Sequence, residues 1–254
     1  MILVLAGTKD GRDLITLLDQ AGYEVMASVF SEYGRQLVQL THVPIHTGPL
    51  NTDGLMHLIT SKKIDMVVDA SHPYAVNVSQ NAMAACQRTG ILYLRYERPM
   101  IPLPVYKGLH VVYEYDQAAQ LAASLGKVIF LTTGSRHLKL FKEGIGMVDH
   151  RLIARVLPEP SVLQECLEFG FLPKDIVAMQ GPFSHDLNVA LFKEYEAHVV
   201  VMKNSGQVGG SDTKMTAAMA LGLPVVLIDR PVIDYRQIVY QMDDVLKFVK
   251  EAKS

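Results

Sequence analysis

The sequence predicts an α/β protein made of two Rossmann-like domains whose mainly parallel sheets face a shared cleft. Three observations carry that expectation. Short β-rich apolar runs alternate with amphipathic stretches along the whole chain. The alternation is interrupted once, at a loop containing Pro99, Pro102 and Pro104. The length, 254 residues, corresponds to between one and two domains at about 150 residues each.

In the first series, Ile2 to Ala6, Val25 to Val29, Ile64 to Asp69 and Leu92 to Leu94 have strand length and β-branched content. Between them Leu14, Leu17, Leu18 and Ala21 recur at helical spacing, as do Ala75, Val78, Ala82 and Ala85, so helices should cover a parallel sheet. After the proline loop come Val111 and Val112 and a helical stretch from Asp116 to Leu125. The second series of strands reads Val128 to Thr132, Leu152 to Val156, Ile176 to Met179, Val199 to Met202 and Val225 to Ile228. A last helix, about Asp243 to Lys253, carries Val245, Leu246, Phe248 and Val249 on one side, and its partner half is left open. The expected domains are 1–108, binding a dinucleotide, and 109–254.

Composition excludes several classes of function. Lys plus Arg number 24 against 26 for Asp plus Glu, a net charge of -2, which offers no basic footprint for nucleic acid. Hydrophobic residues at 49% and charged residues at 20% are far from the signature of disorder. Cys86 and Cys166 form no C-x-x-C pair, so neither a disulfide framework nor a redox or zinc centre is expected, and a reducing cytoplasm fits. The apolar start, Met1 to Ala6, lacks a basic leader and is broken by Lys9 and Asp10, which argues against a signal peptide or membrane span. The nine histidines include no H-E-x-x-H, and His42 and His46 flank a proline in an expected strand, so no metal is expected. No nucleophile elbow or P-loop occurs. Oligomeric state is not readable.

Ligands of open α/β sheets bind beyond the carboxyl ends of the strands, so those positions are the ones to read. After the first strand, Gly7-Thr8-Lys9-Asp10-Gly11-Arg12 forms a glycine turn able to bring amides and a helix N-terminus to a phosphate, although Lys9 replaces the middle glycine of G-x-G-x-x-G. After the second, Ser31-Glu32-Tyr33-Gly34-Arg35 stands where a dinucleotide fold meets the adenosine ribose. Glu32 suits the ribose hydroxyls of NADH, whereas Ser31, the Gly34 amide and Arg35 suit the extra phosphate of NADPH, and a solvated Glu-Arg pair suits the pattern equally. The third strand ends in Asp69-Ala70-Ser71-His72-Pro73-Tyr74. Asp69 is assigned to the cofactor; His72 and Tyr74, expected at a helix N-terminus, are candidate proton donors, with a helix-capping role for Ser71 or His72 as the alternative. Arg95 and Arg98 follow the fourth strand, suited to carboxylates or to pairing with Glu97 and neighbouring acids.

In the second half, Gly134, Ser135 and Arg136 follow a strand as Gly7 and Thr8 do, Arg155 lies near another strand end, and Gln180 ends a third. The stretch from Lys203 through Ser205, Gly206, Gln207, Val208, Gly209 and Asp212 to Lys214 puts glycines, hydroxyls and two lysines between a buried strand and a helix. Lys214 in a first helical turn opposes the helix dipole by roughly up to 1 kcal/mol, which an anion would compensate.

Taken together, Val68 to Ala75, Leu94 to Pro99, Gln180 to Phe183 and Lys203 to Lys214, with Leu5-Ala6-Gly7-Thr8 at the start, resemble the precorrin-6A reductase family of corrin-ring biosynthesis across nearly the whole chain. The resemblance implies an enzyme that uses NADPH, or alternatively NADH, to saturate one double bond of precorrin-6A or its cobalt-containing counterpart. It implies a tetrapyrrole substrate whose many carboxylates meet Arg95, Arg98, Gly134, Ser135, Arg136, Arg155, Gln180, Ser205, Gly206, Asp212 and Lys214, with Lys203 a third candidate acid beside His72 and Tyr74. An S-adenosylmethionine-dependent methyltransferase and a tetrapyrrole carrier are the alternatives.

Overall fold

The computed structural model describes residues 1–38, 42–100, 102–144, 146–206 and 210–253. The chain divides into two compact units, Met1–Pro99 with Pro231–Ser254, and Met100–Arg230. In chain order the first unit contains β1 (Ile2–Ala6), α1 (Lys9–Gln20), β2 (Val25–Val29), α2 (Glu32–Val38), β3 (Ile45–Thr47), α3 (Thr52–Ser61), β4 (Met66–Ala70), α4 (Val76–Thr89) and β5 (Leu92–Tyr96). The second contains β6 (Leu109–Val112), α5 (Tyr115–Leu125), β7 (Val128–Leu131), α6 (Leu138–Glu143), β8 (Arg151–Val156), α7 (Pro160–Glu168), β9 (Ile176–Ala178), α8 (His185–Glu194), β10 (Val199–Lys203), α9 (Ser211–Ala220) and β11 (Val225–Ile228). β12 (Ile238–Val239) and α10 (Met242–Lys253) complete the chain.

Every residue of β1, β2 and β4 is buried, which is why these strands read as unbroken apolar runs: a parallel sheet is covered on both faces. Side chains alternate between those faces. Ile2 and Val4 join Leu14, Leu18, Val245 and Val249 on one side, whereas Leu3 and Leu5 join Leu55, Ile59, Ala82 and Ala85 on the other. In the second unit Phe130, Val200 and Met202 pack against Phe192, Met215 and Ala218.

Both sheets are parallel and six-stranded, ordered β12-β5-β4-β1-β2-β3 and β6-β11-β10-β7-β8-β9. The windings match: a central strand, two successors on one side and two on the other. The sixth place is filled differently from what chain order suggests. β12, from the end of the chain, pairs with β5 through Ile238↔Arg95 and Val239↔Tyr96. β6, which follows the first five strands, pairs instead with β11 in the second sheet.

This corrects the division at 108/109 and the assignment of all of 109–254 to one domain. The break falls at Pro99, and α10 belongs to the first unit because Val245 and Val249 enter its core. Strand order reverses between β1 and β4 in one sheet and between β7 and β10 in the other, the points at which open α/β sheets generally bind ligands.

Candidate active site

The first reversal point is built on the turn from β1 into α1. Thr8 caps α1, its hydroxyl accepting from the Gly11 amide at 3.5 Å. A Cβ on Gly11 would stand 2.9 Å from the Ala6 Cα, so only glycine lets the helix lie this close to the strand. Gly11 thus fills the role of the third fingerprint glycine, a role the motif reading left unassigned. A Cβ on Gly7 would enter open space, leaving the turn and the N-terminus of α1 accessible to a phosphate. Ser31 accepts from the Gly34 amide at 3.1 Å, and Glu32 and Arg35 stand 3.8 Å apart and exposed beside it.

Three residues expected to touch ligands are committed elsewhere. Arg95 is fully buried and donates to Asp69 Oδ1 at 3.0 Å, to Ser71 Oγ at 3.1 Å and, from Nη2, to Glu97 Oε2 at 3.1 Å. Its guanidinium lies 5.2 Å from the Tyr235 ring centroid. Asp69, expected at the cofactor, is equally buried and accepts from Ser79 Oγ at 2.6 Å, Tyr93 OH at 2.8 Å and the Ser71 amide at 3.0 Å. Burial works to raise its pKa, but Arg95 and the serine donors outweigh that and hold it below the usual carboxylate range. These two groups therefore tie β4, β5 and the segment before β12 together. Arg98, also expected at a substrate carboxylate, is buried and paired with Asp10 at 2.9 Å; it anchors the first turn of α1.

The β4 loop does not form the expected helix start. α4 begins at Val76 after Ala75, which makes no side-chain cap, so Pro73 lies in the preceding turn and neither Ser71 nor His72 caps the helix. His72 and Tyr74 are half-buried, with ring centroids 5.6 Å apart. The Tyr74 amide donates to His72 Nδ1 at 3.3 Å, which leaves Nε2 as the protonated nitrogen of the neutral ring.

The second reversal point has a different character. Arg155, on β8, is buried; it donates to Asn188 Oδ1 at 2.7 Å, lies 4.4 Å from the Phe183 ring centroid and forms no ion pair among the described residues. Burial pushes its guanidinium down to about 10. Lys214, in the first turn of α9, is 6% exposed and is likewise in no ion pair among the described residues. Burial brings it down to about 7, with Arg155 and Lys203 adding to the fall and Asp212 opposing it. Lys203, at the end of β10, is brought to about 8 by burial and by Arg136.

Around this group Gly134 and Gly206 adopt left-handed backbone, at φ +80 and +77. Arg136 is exposed and Ser135 and Asp212 half-buried. Ser205 is held by Ser211, its amide donating to Ser211 Oγ at 2.9 Å. Gln180 is exposed at the end of β9. Gln207, Val208 and Gly209 lie outside the described residues. Two further features were not singled out in the sequence: the Thr133 hydroxyl is buried without a hydrogen-bond partner among the described residues, and Tyr115 stacks on His137 at 3.6 Å. The first carried a signal, since Thr133 precedes a glycine turn at a strand end; the second brings together residues 22 apart and carried none.

Among the described residues no helix is long and apolar enough to cross a membrane. A family model described as "Precorrin-6x reductase CbiJ/CobK" matches residues 1–250. The chain is 39% identical over 247 residues to a cobalt-precorrin-6A reductase of Priestia megaterium, covering 97% of this chain and 96% of that protein. It is 31% identical to a precorrin-6A reductase of Rhodobacter capsulatus, covering 98% and 96%. A solved structure described as CobK precorrin-6A reductase superposes with a TM-score of 0.80 at 29% identity, over 98% of this chain and 96% of the other.

Proposed function

The chain belongs to the precorrin-6x reductase family, and from that premise we propose that NADPH is the reductant held at the rim of the first unit and that the second unit grips the tetrapyrrole carboxylates. It is an oxidoreductase of cobalamin biosynthesis that reduces precorrin-6A at a CH-CH group with a nicotinamide cofactor, which sets aside the methyltransferase and carrier alternatives. The substrate is a small-molecule tetrapyrrole. Two buried free cysteines suit a cytoplasmic location.

The observation that carries the division of labour is charge balance. Arg95 and Arg98 already have carboxylate partners in their own unit, whereas Arg155 and Lys214 are buried without one among the described residues. A polycarboxylate substrate supplies the missing negative charge.

The first rim fits the cofactor: Gly7 leaves room for the pyrophosphate at the N-terminus of α1, Thr8 fixes that turn, and Ser31, Glu32, Gly34 and Arg35 stand where the adenosine ribose lies. When bound, the reduced nicotinamide supplies the hydride. The chain's task is to orient the macrocycle and to deliver a proton. His72, Tyr74, Lys203 and solvent are the candidate donors of that proton, His72 acting only when its ring takes up a second proton and becomes the imidazolium.

Steady-state kinetics test both assignments. Arg35→Ala should weaken NADPH binding about tenfold, the loss of roughly one charge-assisted hydrogen bond, and leave NADH unchanged; equal weakening of both removes Arg35 from the phosphate. His72→Ala should lower kcat by about 100-fold or more with NADPH affinity retained, and unchanged turnover removes His72 from the reaction.

A further inference from the structure

At the adjacent strand ends β8, β7 and β10, Ala154 and Val201 both register with Leu131, which sets Lys203 level with Thr133 and Arg155 one residue earlier, level with Thr132. Lys214 follows in the first turn of α9. Among the described residues the Thr133 hydroxyl is buried with no hydrogen-bond partner, and Arg155 has Asn188 as its hydrogen-bond acceptor. Besides Arg155 and Lys203, the charged or titratable groups acting on the cluster are Asp212 on α9, and Arg136 and His137 after β7.

We propose that Arg155, Lys203 and Lys214 close around one anionic oxygen group, and that Lys214 takes up a proton from solvent as that group arrives. The inference rests on the reading above that the group is a substrate carboxylate; a cofactor phosphate has the same chemistry. The physical reason is that burial and two neighbouring cations disfavour the Lys214 ammonium in the free protein, and an anion reverses that balance. Binding then becomes weaker as pH rises above the midpoint of free Lys214, by about tenfold per pH unit for one coupled proton.

The whole chain, labelled with carbon-13 at lysine Cε, tests this by NMR titration. One resonance should titrate near pH 7 and vanish in Lys214→Met. Addition of precorrin-6A at about pH 8 should move it to the protonated position, while NADPH alone leaves it unmoved. In Lys214→Arg, permanently charged, the KM for precorrin-6A should lose about tenfold of its rise per pH unit. Movement by NADPH alone would support the proton coupling and overturn the placement of the substrate in the second unit. A resonance that neither molecule moves, or an unaltered KM profile in Lys214→Arg, overturns the coupling, and the wild-type titration reads this whatever the folding of Lys214→Met.

Discussion

The two sheets share one winding, yet their rims treat buried charge in opposite ways. In the first unit Asp69, Glu97 and Asp10 meet Arg95 and Arg98 at 3.0, 3.1 and 2.9 Å, and hydroxyls of Ser71, Ser79 and Tyr93 add hydrogen bonds to Arg95 or Asp69. In the second unit Arg155 and Lys214 are also buried but have no acid in ion-pair range among the described residues. An ion pair satisfied within its own unit is scaffold, because breaking it leaves a stranded charge. A buried cation whose counter-charge is missing marks a place for a ligand. Buried cations at the rims of the two sheets thus divide into structure and function by what lies beside them.

Substitutions that remove one cation from each rim sharpen this contrast most. Arg95→Met should destabilise the chain by about 3–5 kcal/mol, the penalty for stranding a buried charge, read as a fall in the denaturant midpoint. A loss below about 1 kcal/mol would mean that Asp69 is not held as described. Lys214→Met should act with the opposite sign. Lys214 is brought from 10.5 to about 7 by folding, so between those pH values the unfolded chain holds more protons and wild-type stability rises with pH. The penalty is full below about 7 and gone above 10.5. Lys214→Met should therefore gain on the order of a few kcal/mol at about pH 6, with the gain shrinking as pH rises; a destabilised variant would break the comparison.

The smallest effects concern hydroxyls. Ser79→Ala removes a 2.6 Å donor from Asp69 and should cost about 1.5–3 kcal/mol, as for a hydrogen bond to a charged group. Thr133→Val removes a hydroxyl that has no partner among the described residues and should change stability by less than about 1 kcal/mol. Equal losses in chemical denaturation would erase the difference between the rims.

Much of the fold was legible because strands buried on both faces cannot hide their apolar runs, and β1, β2, β10 and β11 lie where those runs predict. β12 was not, since two residues, Ile238 and Val239, are too short to produce a pattern and owe their conformation to pairing with β5. The fates of Arg95 and Arg98 were unreadable for a related reason. Their acids, Asp69 and Asp10, lie 26 and 88 positions away, and only the sheet brings them together. Lys214 was legible, because a lysine in a first helical turn stands against the dipole whatever the fold. Arg155 was legible as a cation at a strand end, but not as one lacking a counter-charge.

The claim that the second rim awaits the substrate's negative charge is tested most directly by thermal shifts of Arg155→Met with each ligand added separately. Protection by NADPH should match that of the wild-type chain, while protection by precorrin-6A should be largely lost. Retained protection by precorrin-6A together with lost protection by NADPH would place the cofactor, not the macrocycle, against these cations and contradict the account.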